Sequence, residues 1–114
     1  MANTPRHLTY IFNPVPNRVN MIYSILTGGV EANAVTFNLC RDLVDTWHVV
    51  SEEDIKWGMK YVWQEHEERV EGAAGMCVAA VKNMADDVKN KTVCVLLCGG
   101  NIDVQTHQDI MEEI

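Results

Sequence analysis

The stretch Lys91 to Asn101, KTVCVLLCGGN, decides how the chain is read. From Thr92 to Cys98 it carries no charge and no apolar–polar alternation, the form of a strand covered on both faces in a parallel sheet. Two glycines and an asparagine then stop it. Ligands of such sheets gather outside the carboxyl ends of the strands, so Cys98, Gly99, Gly100 and Asn101 stand where chemistry is expected.

Working back from that strand, VEGAAGMCVAAVKNMADDV (70–88) has helical character and a run of small residues, Gly72, Ala73, Ala74 and Gly75. Glycine inside a helix costs about 0.5–1 kcal/mol relative to alanine, so the run predicts close approach of another element. Upstream again, Ser51 opens SEED, where a hydroxyl caps the helix and three carboxylates meet the positive end of its dipole. The helix that follows runs to about Glu68, with Ile55, Met59, Val62, Trp63 and His66 on one stripe and Trp57 and Tyr61 on another face. TWHVV (46–50) reads as a short buried strand. A helix from Ala34 shows a wide apolar face of Val35, Phe37, Leu39, Cys40, Leu43 and Val44.

Outside this block the pattern thins. Residues 1–20 hold all three prolines and read as an irregular arm with a short extended piece at Leu8 to Phe12. Met21 to Leu26 is an apolar run that stops at Thr27, Gly28 and Gly29, and Ile102 to Ile114 fits a closing helix. The expected architecture is therefore α/β, a small parallel or mixed sheet flanked by helices, with residues 21–114 forming one domain after the arm.

Composition sets outer limits. With 114 residues and 47% hydrophobic content the chain can bury a core, and 9 Lys+Arg against 16 Asp+Glu give a net charge of −7. That balance lacks the basic face of a nucleic-acid binder. No run approaches the roughly 18 apolar residues of a membrane span, and no secretion signal opens the chain, so the expectation is a cytoplasmic protein without a membrane partner. Cys40, Cys77, Cys94 and Cys98 then read as small buried hydrophobes rather than disulfides. Zinc is not expected, because Cys94 and Cys98 would lie about 13 Å apart along a strand.

Three segments taken together carry a resemblance: GGVEANAVTFNLCRDLVDTWHVVSEEDI (28–55), VEGAAGMCVAAV (70–81) and VCVLLCGGNID (93–103). In this order and spacing the chain resembles the C-terminal third of the threonine/serine dehydratase family, pyridoxal-phosphate enzymes of fold type II. The resemblance covers about Thr27 to Asp103 and implies part of the family's large domain. It further implies that Cys98 takes the place of the residue that hydrogen-bonds the cofactor's pyridine nitrogen, usually a serine. Gly99 and Gly100 match the glycines that let the backbone pass beside the ring, and Glu71 matches an acidic residue near it. A neutral thiol at the ring nitrogen suits elimination from a β-hydroxy amino acid.

The departures set the functional expectation. The family's Schiff-base lysine, in its Ser-Phe-Lys setting, and its glycine-rich phosphate loop belong to regions upstream of this segment, and none of the five lysines here has that setting. The longest glycine run is two, too short for a phosphate cradle. The chain is therefore expected to carry no catalytic residues or metal site of its own, to bind pyridoxal phosphate only if a partner chain completes it, and to act as a binding or interaction module. The alternative is one half of a split serine/threonine ammonia-lyase. Strands removed from a larger sheet leave open edges, so a homodimer is expected too, with the arm as an exchanged element.

Each site residue also has a purely structural reading. Gly99 and Gly100 suit a tight turn after a strand, Glu71 a helix's first turn, and Cys98 a strand end. His48 and His66 read as packing histidines, and His7 and His107 receive no role.

Overall fold

The computed structural model describes residues 9–12, 33–43 and 45–113. Among them are two short strands, β1 (Thr9–Phe12) and β2 (Thr46–Val49), and four helices, α1 (Phe37–Leu43), α2 (Glu52–His66), α3 (Gly72–Asn83) and α4 (Val104–Glu112). The molecule is helix-rich. Its strands form one parallel pair, in register from Thr9 opposite Thr46 to Phe12 opposite Val49. The extended piece expected near Leu8 to Phe12 is thus β1, whereas the run Met21 to Leu26 lies outside the described residues.

The centre of the fold is the antiparallel pair α2–α3. Ser51 caps α2 as its spacing predicts: its hydroxyl oxygen accepts from the Asp54 N–H at 3.1 Å and its O–H donates to Asp54 Oδ2 at 2.9 Å. The same carboxylate accepts from Asn83 Nδ2 at 3.2 Å, tying the start of α2 to the end of α3. These hydroxyl and amide donors, Ser51 first, hold the Asp54 carboxyl below its usual range. The small-residue run has its packing reason here. A side chain on Gly58 would land on the Gly75 carbonyl, and a Cβ on Gly75 would lie 2.7 Å from the Ile55 carbonyl oxygen. Glycine at both points lets the two backbones meet, and the surrounding Ile55, Met59, Val62, Ala74, Met76, Ala79 and Ala80 close over the contact. Val50, Val70 and Ile110 complete the core, so α4 joins the pair through Ile110.

Helix α2 ends at His66, two residues earlier than expected, where Glu67 adopts a left-handed φ of 55° and donates its N–H to the Trp63 carbonyl at 3.0 Å. Helix α3 stops at Asn83 rather than Val88, and residues 84–90 continue as turns.

The largest correction concerns the opening stretch. Residues 92–98 form no strand and join no ladder among the described residues. Val93, Leu96 and Leu97 are exposed, Leu96 by 77%, and Cys94 and Cys98 are exposed thiols rather than buried hydrophobes. An uncharged run predicts a doubly covered strand only where something covers it, and here nothing among the described residues does. Two smaller corrections share the cause. β2 is covered on alternate residues only, leaving Trp47 and Val49 exposed, and on α1 the apolar Leu39 and Leu43 face outward. Among the described residues the sheet is limited to the parallel pair β1–β2.

Candidate functional site

The expected site residues come from two segments about 28 positions apart in sequence, and the fold joins them at one corner. The Glu71 N–H donates to the Gly99 carbonyl at 3.0 Å. Glu71 is the N-cap of α3, but its carboxylate makes no capping bond, and its side chain lies against the Cα of Gly99. Gly99 has a φ of +110°, a conformation that side-chain-bearing residues rarely adopt, and a Cβ there would overlap the Glu71 carboxylate. Gly100 follows beside the Arg69 carbonyl. Glu71, Gly99 and Gly100 therefore share one turn, and Cys98 enters it as the preceding residue.

Cys98 is exposed, and its nearest relation in charge is Cys77 on α3. Burial pushes the Cys77 thiol above its ordinary range, with the Cys98 sulfur as a second, smaller cause. Three of the five lysines have other work. Lys56 pairs with the Glu113 carboxylate, Lys60 donates to the Glu113 carbonyl, and Lys82 lies 3.7 Å from Asp54 and 4.2 Å from the Trp57 ring centroid. Trp57 stacks on Tyr61 at 5.3 Å, so the second apolar face of α2 forms an exposed aromatic ledge. Among the described residues no group of three or more His, Cys, Asp or Glu side chains is arranged to hold a metal ion, and no helix is long and apolar enough to cross a membrane.

Sequence reasoning passed over His107. It is buried on α4 against Trp63, with ring centroids 5.2 Å apart. Its spacing of three and four from Ile110 and Met111 places it on the apolar stripe of α4, a signal available in the sequence.

A carboxylate and a glycine turn thus meet at the start of α3, next to an exposed apolar segment. No family model matches the chain. Among curated proteins it is 42% identical over 78 residues to the L-threonine ammonia-lyase of Geobacter sulfurreducens, covering 68% of this chain and 19% of that one. It is 40% identical over 70 residues to the L-threonine ammonia-lyase of Thermotoga maritima, covering 61% and 17%. With the serine racemase of Homo sapiens it shares 38% identity over 74 residues, covering 60% and 21%. The chain is thus related to one segment of the threonine/serine dehydratase family of fold type II pyridoxal-phosphate enzymes. It spans about a fifth of the length of these relatives.

Proposed function

We propose that this chain is a fragment-like relative of the dehydratases that works as a binding or interaction module and performs no lyase chemistry alone. The observation that carries this reading is the pairing of a formed corner with an uncovered segment: Glu71 and Gly99 are bonded within the chain, while 92–98 joins no ladder among the described residues. The corner fits the cofactor's ring-facing wall in part. Gly99 and Gly100 present bare backbone, Cys98 an exposed sulfur for a ring nitrogen, and Glu71 a carboxylate. The anchor is not matched: Lys56, Lys60 and Lys82 are engaged elsewhere, and neither Lys89 nor Lys91 has the family's Ser-Phe-Lys setting, so no reaction step is derived for the isolated chain. When bound in a completed site, pyridoxal phosphate supplies an electron-withdrawing ring that eases deprotonation of an amino acid at Cα.

Incubation of the purified chain with pyridoxal phosphate followed by borohydride tests the reading. The expected result is no lysine adduct and no ammonia from serine or threonine. A stoichiometric adduct traced to one lysine overturns it.

The exposed apolar residues of 93–97 favour a second reading, in which a separate chain bearing the lysine and phosphate loop lays strands on this segment and completes a split ammonia-lyase. Self-association through the same strip or through the Trp57–Tyr61 ledge gives the homodimer instead. Sedimentation of the chain alone, and with a co-purifying lysine-bearing chain, separates the two: activity returning only in the mixture selects the split enzyme.

A further inference from the structure

The strongest unexplained feature of the core is His107. It is 3% exposed, its Nε2 is shut off from solvent, and no described residue offers that nitrogen a hydrogen bond. The T-shaped contact with Trp63 is no substitute for an acceptor. A neutral imidazole tolerates this setting at the cost of one unmade bond, whereas an imidazolium there would be a buried charge without a partner.

We propose that His107 is a pH-sensitive latch: its neutral ring seals α4 against α2, and its protonation releases α4 together with the Gly99–Gly100 turn that leads into it. The charged groups around the contact reinforce the sense of the switch. Arg69, from the link between α2 and α3, sets a like charge against the ring, and Lys56 and Lys60 on α2 are held by Glu113 at the far end of α4. At the start of α4 the Asp103 carboxylate accepts the Thr106 N–H at 2.9 Å, on α4 Asp109 accepts from Gln105 at 2.8 Å, and His107 Nε2 has no partner among the described residues. Ile110 and Met111 supply the remaining grip. Because Asp103 caps α4 only three residues beyond Gly100, loosening the helix frees the turn against which Glu71 packs.

The sign follows from proton linkage. Burial first, then Arg69, lowers the affinity of His107 for a proton below that of a free imidazole with its ordinary value of 6.5. The released state therefore binds the proton more tightly. The latch is fully closed above that value and weakens as pH falls below it.

The test is hydrogen exchange on the full chain, corrected for intrinsic rates, with ring NMR titration of the wild type. Between about pH 7.5 and pH 5.5 the amides of residues 107–112 should lose protection severalfold, with about tenfold as the ceiling for one proton of ordinary value 6.5, while those of 76–80 hold. His107→Leu should remove that pH dependence. Protection of α4 that does not change with pH, or an equal loss in His107→Leu, overturns the proposal. Should the variant not fold, the titration decides: His107 must protonate below 6.5, and a value at or above it refutes the latch.

Discussion

The α2–α3 pair and the segment 92–98 have similar apolar content and opposite fates. In the pair, Ile55, Met59, Val62, Ala74, Met76, Ala79 and Ala80 cover one another within thirty positions of sequence, and glycines at 58 and 75 let the backbones touch. The segment 92–98 is as apolar and stays exposed. Helices satisfy their backbone hydrogen bonds internally and need only one packed face, whereas a strand needs a neighbouring strand and an apolar one needs cover on both sides. Among the described residues the helix pair is complete, and the sheet is only the pair β1–β2.

The contrast breaks or sharpens by mutation. Gly75→Val should have the largest effect, because its Cβ would press on the Ile55 carbonyl and the Met59 side chain; a loss of about 3 kcal/mol in denaturant unfolding is expected. The sign is informative, since an exposed helical glycine would gain stability on substitution. Met59→Ala, which empties the centre of the same contact, should cost about 2–3 kcal/mol by thermal melt. Ser51→Ala removes the α2 cap and its bond to Asp54, for about 1 kcal/mol. Leu96→Ser should change stability by less than about 0.5 kcal/mol in dilute solution, and a loss above about 1 kcal/mol would show that the strip is covered there.

Acid titration offers a further check. The Asp54 carboxyl is depressed by Ser51 and Asn83, so its contribution is present at neutral pH and fades as pH falls through the carboxylate range; the acid-side slope should flatten in Asp54→Asn.

Much of the helical architecture is legible in the chain. The cap at Ser51 follows from a hydroxyl before three carboxylates, and the close approach at Gly75 follows from small residues too costly to place in a helix without cause. The Glu71–Gly99 turn was reachable only through family resemblance, since no local pattern links residues so far apart. His107 was legible on its helical stripe but carried no motif to mark it. The strand at 92–98 misled because a run without charges reports what a residue prefers, not whether a neighbour exists.

The sequence by itself determined where α2 begins, which stripe of it is apolar, and that small residues of α3 meet another element, because those properties are set by residues close in the chain. The tertiary structure alone decided that Glu71 meets Gly99, that His107 loses its solvent, and that 92–98 lacks a sheet. Contacts between distant segments depend on the whole set of available partners, and no local spacing records which partners a chain contains.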